Sequence, residues 1–276
     1  MRRRHRPSDL LLSLLALGSA ALWVFPLYWA IVTTLKPEDE VVAPGYHLVP
    51  LHPTLGAYRY VLAHTTIGRW YLNSFVTAAA ITVLVVAMSA ACGYAISQLR
   101  FPLRRVLFGL ILASFMVPLQ ALIVTHFILM NDFGLINSWG GIVLPQLIVP
   151  VVVIVYKQFF DAIPREFREA ALVDGAGEFR LFMQIFLPMN WGVTTALAII
   201  TFIGAWNAFL WPFLVASTDR AMTVTVGIVQ VHDAFGVQYA RNLAGAVMAA
   251  LPVALAYLIF QRRVTEAVAL SAGIKG

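Results

Sequence analysis

The sequence predicts an all-α integral membrane protein with six transmembrane helices, both termini in the cytoplasm, and a helical cytoplasmic excursion between the fourth and fifth crossings. Three observations carry this. Of 276 residues, 61% are apolar and only 12% are charged. An average soluble domain has roughly 25% charged residues, so a water-soluble globule of this composition would lack the polar groups to cover itself. Six apolar runs reach the length of about 20 residues that a helix needs to cross the hydrocarbon layer. Finally, the basic residues are shared unevenly between the two sets of loops that alternate along those runs.

The runs are Leu10–Thr34, Leu72–Ser97, Val106–Leu129, Gly140–Tyr156, Val193–Val215 and Ala240–Phe260. Each is continuous, without the in-and-out alternation of a barrel strand. Prolines such as Pro26, Pro118, Pro145, Pro150 and Pro252 inside them are tolerable where neighbouring helices satisfy the freed backbone groups. Arg2, Arg3, Arg4 and Arg6 precede the first run. Arg100, Arg104 and Arg105, then Lys157, Arg165, Arg168 and Arg180, then Arg262, Arg263 and Lys275 lie on the same side, making 14 of the 19 basic residues. Lys36, Arg59, Arg69, Arg220 and Arg241 lie opposite. The positive-inside rule assigns the richer side to the cytoplasm. The net charge of +6 and the pI of about 9.7 then follow from topology, with no nucleic-acid partner required. The first run is longer than the apolar core of a signal peptide and has no clear A-x-A site before Lys36, so an uncleaved first crossing is expected.

Chemistry is sparse. No Asp, Glu, Lys or Arg falls in the central part of any run. Ion-coupled carriers usually place such groups along their path, which argues against a proton- or sodium-driven carrier, although sodium sites built from backbone and hydroxyl oxygens stay open. His126, near the outer end of the third run, reads either as an interfacial, hydrogen-bonded side chain or as a proton relay. Cys92, the one cysteine, excludes an internal disulfide and a cysteine zinc site, and reads as a small buried side chain. The chain has no G-x-x-x-x-G-K-[ST], H-E-x-x-H or G-x-S-x-G, so neither nucleotide binding nor hydrolysis is expected of it. Any energy source must belong to a partner.

A partner would dock on the largest cytoplasmic segment, Lys157–Asn190. Pro164 suits the first turn of a helix running from about Arg165 to Val173. Asp174-Gly175 ends it, since glycine takes the left-handed conformation at little cost. A second short helix starts near Glu178, and Phe179, Phe182, Met183 and Phe186 follow at i, i+3, i+4 and i+7 as one apolar face; Pro188 stops it. A helix lying on anionic lipid would be rich in Lys and Arg. Here Lys157, Arg165, Arg168 and Arg180 face Asp161, Glu166, Glu169, Asp174 and Glu178, a balance better suited to a protein groove.

Glu169-Ala170-Ala171-Leu172-Val173-Asp174-Gly175-Ala176, followed by Phe182 and Leu187-Pro188, resembles the EAA loop of ABC importer permeases. Ile163-Pro164-Arg165-Glu166-Phe167 ahead of it fits the same pattern. Thr34-Leu35-Lys36-Pro37, Asn73-Ser74, Trp206-Asn207-Ala208-Phe209-Leu210-Trp211-Pro212, Phe260-Gln261-Arg262 and the closing Ala272-Gly273-Ile274-Lys275-Gly276 resemble the maltose-type carbohydrate permeases, the shorter six-span partner in particular. The likeness runs over nearly the whole chain. One departure is Gly192, where the family often has a second proline four residues after the first.

The resemblance implies one permease domain over 1–276, with a coupling loop at 161–190 and a cytoplasmic tail at 261–276. It implies that the short helix sits in a cleft of a separate ATPase, with Pro164, Glu166, Glu169, Ala170, Ala171, Asp174, Gly175, Ala176, Phe179, Phe182, Met183, Phe186 and Pro188 forming the docking segment. Glu169 would meet a basic residue, the two alanines would allow close approach, and Gly175 would make the turn. Ala170 and Ala171 are also simply good helix formers, and Gly175 a plain cap. The implied partners are a second, different permease, two ATPases that hold ATP and Mg, an extracytoplasmic solute-binding protein and a carbohydrate. The implied location is a bacterial cytoplasmic membrane.

Lys36–Tyr71 and Ala216–Tyr239 are the longer outer loops, and by resemblance they meet the binding protein. Val224–Gly236 reads as an ordered protrusion or as a membrane-skimming cover. For the translocation path, Trp206, Asn207, Phe209 and Trp211 combine aromatic faces with an amide at membrane depth, and bundle packing or an interfacial belt explains them equally well. Uptake of glycerol-3-phosphate or a glycerophosphodiester fits the same fold. From a different class, an ATP-independent channel or ion-coupled carrier is the alternative.

Overall fold

A computed structural model describes residues 7–45, 47–230 and 238–271. The basic cluster Arg2–Arg6, the far part of the Val224–Gly236 loop and the closing Ala272–Gly276 motif lie outside the described residues. Every regular element among the described residues is helical. Three helices are long and apolar enough to cross a membrane: Leu11–Thr34 within α1 (Pro7–Thr34), α4 (Ile67–Gln98), and Tyr239–Gln261 within α15 (Tyr239–Ser271). Between α1 and α4 lie the short helices α2 (Glu38–Val42) and α3 (Gly56–His64).

The expected third, fourth and fifth runs are not single straight helices. Arg104–Phe115 (α5) meets Leu119–Asp132, which ends in α6 (Ile123–Asp132), at 92°. The break is at Pro118, whose ring disfavours helical backbone at Val117. Trp139–Gln146, which begins with α7 (Trp139–Val143), meets α8 (Pro150–Asp161) at 51°, with Pro150 opening the second piece. The fifth run divides at Asn207–Phe209 into α12 (Trp191–Trp206) and α13 (Leu210–Val215). Pro212 has no N–H to give Ala208, and the freed Ala208 carbonyl is instead taken by the Thr225 hydroxyl at 2.8 Å. Between α8 and α12 run α9 (Arg165–Val173), α10 (Glu178–Leu181), a π-turn at Phe182–Phe186 and α11 (Leu187–Met189). Val224–Gly227 forms α14.

The chain divides into two compact units. One takes in residues up to Ile67 with Gly227–Leu251. In it Lys36 is only 4% exposed. Its ammonium donates to the His47 carbonyl and lies 4.9 Å from the centre of the Trp29 ring, which satisfies a buried charge. Glu38 accepts from the Tyr239 and Ala240 N–H groups at the start of α15. Glu40 accepts from Leu51 and His52 N–H at 2.9 and 3.1 Å, and chiefly the Leu51 bond holds its carboxyl below the usual range. The Thr34-Leu35-Lys36-Pro37 motif is therefore a structural junction, its Thr34 hydroxyl also 2.7 Å from Tyr58 Oη.

The second unit spans Gly68–Val226 with the residues from Pro252 onward. Its core joins Ile81, Val85, Ala90 and Tyr94 of α4 to Val152, Tyr156 and Phe160 of α8 and to Ala171, Leu181 and Phe186. Gly93 makes the approach possible: a Cβ there would fall 2.7 Å from Tyr156 Cβ and 3.1 Å from the Lys157 backbone nitrogen. Gly93 thus serves packing within this chain. Cys92 is half-buried rather than buried as expected. At the other end of α4, Asn73 is 1% exposed and fully engaged. Its Nδ2 donates to the Arg220 and Met222 carbonyls at 3.0 and 2.8 Å, and its Oδ1 accepts from Trp139 Nε1 at 2.9 Å. Ser74 Oγ accepts from Val224 N–H at 2.8 Å.

Candidate coupling segment

Helix α9 begins after Pro164, whose extended backbone makes it the residue before the helix rather than part of its first turn. It ends in a closed cap. Gly175 has φ +77° and donates to Leu172 at 3.1 Å, while Ala176 N–H reaches back to the Ala171 carbonyl at 2.9 Å. Both bonds satisfy carbonyls a helix end would leave open, and the left-handed glycine permits them. Ala171 and Ala176, the residues that the second bond joins, both pack on the core.

Glu178 ties this cap to the body. One carboxylate oxygen accepts from the Tyr94 hydroxyl at 2.7 Å, and the other from Arg168 of α9. Beside it, Ser97 donates to Asp161 at 2.6 Å, Lys157 pairs with Asp161, and Gln98 donates to the Phe160 carbonyl at 3.1 Å. A cavity of about 560 Å³ opens between the end of α4 and the two short helices, lined by Gln98, Leu99, Arg100, Phe101, Arg168 and Glu178.

The expected single apolar face is not formed. The turn Phe182–Phe186 is wound as π-helix ahead of Pro188, which has no N–H for the Gln184 carbonyl. Phe182 and Phe186 turn inward, their ring centres both 5.2 Å from that of Tyr94, and Phe186 is 1% exposed. Ala171 is buried and Ala176 half-buried against the same core. Pro164, Glu166, Glu169, Ala170, Asp174, Gly175, Phe179, Met183 and Pro188 remain exposed. They are joined by Phe167, Leu172 and Val173, which the docking set expected from the sequence does not contain; Val173 is 87% exposed. The sequence does carry their signal, since these are three large apolar side chains on a helix whose other residues are charged or alanine and which is only nine residues long.

The four path residues do not share one set of neighbours. Trp206 is buried, with ring centres of Phe202 and Tyr71 at 6.0 and 6.1 Å. Asn207 is exposed at the end of α12. Phe209 stacks on Phe213 at 5.3 Å. Trp211 donates to the Gly141 carbonyl at 3.0 Å and meets His126 edge-on at 6.0 Å. Among the described residues, no group of three His, Cys, Asp or Glu side chains is placed to hold a metal.

A helical chain with three apolar helices of crossing length is a membrane protein in outline. The family comparison makes this definite. Residues 83–265 match the family described as binding-protein-dependent transport system inner membrane component, and the chain belongs to that family. It is accordingly a permease subunit and not itself an enzyme. The arabinooligosaccharides transport system permease protein AraQ of Bacillus subtilis is 30% identical, covering 99% of this chain and 99% of that protein. The sn-glycerol-3-phosphate transport system permease protein UgpE of Yersinia pestis is 32% identical over 95% of this chain and 96% of its own length. The diacetylchitobiose uptake system permease protein NgcG of Streptomyces coelicolor is 31% identical over 89% and 82%. The fold is also that of a chain in a bacterial ABC transporter involved in import of the acidic polysaccharide alginate, with TM-score 0.84, 20% identity and coverage of 95% and 99%.

Proposed function

We propose that this chain is the six-span permease of an ATP-driven carbohydrate importer in a bacterial cytoplasmic membrane, acting as one domain with both termini in the cytoplasm. Three long apolar helices, the two pairs bent at Pro118 and at Pro150, and α12 with α13 supply six crossings, and the bias of basic residues sets their orientation. A second permease, two ATPases and an extracytoplasmic binding protein complete the complex. Helix α9 docks in the ATPase, with Glu169, Ala170, Asp174 and Gly175 among the docking residues; ATP-driven closure of the two ATPases moves the permease between its inward- and outward-facing states. Ala171, Ala176, Phe182 and Phe186 serve this role from behind, as the floor on which the docking surface rests.

One observation carries the reading: an exposed surface of apolar and charged side chains on α9 is fastened to the core by a closed cap and the Tyr94–Glu178–Arg168 chain. A surface helix meant only to skim lipid needs no such fastening. Carbohydrate is the favoured cargo because AraQ and NgcG are named for oligosaccharide uptake. Glycerol-3-phosphate is the second reading, on the likeness to UgpE.

The test is the ATPase rate of the complex purified through a tag on this chain and reconstituted in lipid, with and without a loaded binding protein. A rate that rises with one loaded binding protein supports the importer and identifies the cargo class. If no ATPase co-purifies and the chain alone passes solute, the channel or carrier reading replaces it.

A further inference from the structure

Among the described residues, helix α4 is fastened by side-chain hydrogen bonds both to the outer loop after α13 and to the coupling segment. It runs 32 residues without a proline, about 48 Å at the helical rise, while three helix pairs elsewhere in the chain are bent by 51° to 92°.

At its outer end the fastening is dense. Trp70 Nε1 donates to Asp219 Oδ1 at 3.0 Å, Arg69 Nε to the Arg220 carbonyl at 3.0 Å, and Asn73 Nδ2 to the Arg220 and Met222 carbonyls. Ser74 then receives the Val224 N–H. The loop these bonds hold is itself buried there: Ala221, Met222, Thr223 and Val224 are all below 5% exposure. One outer loop is thus gripped at several points by two turns of one helix, so that displacing the loop breaks several bonds or carries α4 with it.

At its inner end the same helix gives the Tyr94 hydroxyl to Glu178 and the Ser97 hydroxyl to Asp161. Gly93 locks it against α8 at a distance no side chain would allow. Interiors packed this closely transmit strain rather than absorb it.

We propose that α4 is a transmission rod: displacement of the outer loop at Asp219–Val224 is carried along α4 to Glu178 and so to the coupling helix, with Ser74 and Tyr94 as the positioning residues at its two ends. This rests on the importer reading above. The two residues are 20 positions apart on one helix, about 30 Å, beyond direct contact. Local structural roles at that separation add independently, whereas two links in one series do not.

The experiment compares ATPase stimulation, the rate with loaded binding protein over the rate without, in the reconstituted complex. Ser74→Ala removes the acceptor for Val224, and Tyr94→Phe removes only the hydroxyl and keeps the ring. Each should lower stimulation about threefold, within the range that losing one net hydrogen bond allows, leaving the share that travels by routes other than α4. The double variant should also fall only about threefold, because either loss alone already removes the whole share that α4 carries and the remaining share does not pass through it. Ser74→Thr, which keeps the hydroxyl, should retain wild-type stimulation. A double variant that falls about ninefold, the product of the singles, overturns the rod. Full stimulation in either single variant, or loss of stimulation in Ser74→Thr comparable to Ser74→Ala, overturns it as well. A wild-type complex that no binding protein stimulates sinks the importer reading first, and the rod with it.

Discussion

The Tyr94 hydroxyl donates to Glu178 across 2.7 Å, joining one end of the long, proline-free α4 to the first residue of a four-residue helix in the candidate coupling segment. Glu178 also holds Arg168, so one carboxylate fastens α4, α9 and α10 together. Glu178→Gln keeps an acceptor for Tyr94 but loses the ion pair. Because Arg168 and Glu178 are part-exposed, the loss should be modest, about 1 kcal/mol. The expected outcome is several-fold faster amide hydrogen exchange in α9 and α10, with α1 unaffected. Unchanged exchange would show that the aromatic floor alone holds the segment.

Gly175 sits at φ +77°, and a Cβ added there would meet nothing within 4 Å, so only backbone strain opposes substitution. Gly175→Val should cost about 1–2 kcal/mol at the cap and disturb the end of α9. Glu169→Lys, on the exposed face, reverses a charge without touching the core. Both variants should insert and assemble in the membrane yet fail to couple ATP hydrolysis to uptake. Normal uptake by Glu169→Lys would remove that face from the docking surface.

Gly93→Ala puts a methyl group 2.7 Å from Tyr156 Cβ and 3.1 Å from a backbone nitrogen, where little can yield. Overpacking of this kind costs about 1–3 kcal/mol. A lower thermal midpoint of the detergent-solubilised complex is expected, and an unchanged midpoint would mean α4 and α8 separate easily.

The bounds of α9 are legible in the sequence because its stop signals are local: Pro164 before it, Asp174-Gly175 after it. The side on which Phe182 and Phe186 end up is not, because a spacing of i, i+3, i+4 and i+7 assumes an unbroken α-helix. The π-turn before Pro188 splits that face, with Phe182 and Phe186 in the core and Phe179 and Met183 outside. Likewise the apolar runs announce crossings, but their bends depend on which carbonyls find other donors, as Ala208 finds Thr225. Asn73 and Ser74 stand out only by resemblance. Their function as a clamp needs residues about 150 positions away, a pairing no local pattern contains.

Glu40 offers a pH test of the first unit. Its carboxyl is held below its ordinary value of 4.5, first by the Leu51 N–H and also by the His52 N–H and the charges of Lys36 and His52. A depressed carboxyl contributes stability that is complete above its unfolded value and is lost as pH falls through the folded one. Protection of the Leu51 and His52 amides should therefore be level from neutral pH down to about 4.5 and decline below it. In Glu40→Gln that acid decline should vanish.

Trp211 distinguishes bracing from cargo contact. Its indole N–H closes on the Gly141 carbonyl, and its ring lies against His126, so two of its surfaces are already spoken for by this chain. A side chain with that job steadies α7, where a Cβ on Gly141 would run into the Leu135 carbonyl and the backbone has no slack. Trp211→Phe removes the hydrogen bond and keeps an aromatic ring. If bracing is the role, stability falls by about 1 kcal/mol while the concentration of loaded binding protein giving half-maximal uptake stays as it was. Phe209, stacked on Phe213 and 39% exposed, is the freer aromatic surface. Phe209→Ala should slow uptake without lowering stability to the same degree. The reverse pattern, with slowed uptake following Trp211 and instability following Phe209, would put the indole in the path and the phenyl ring in the packing.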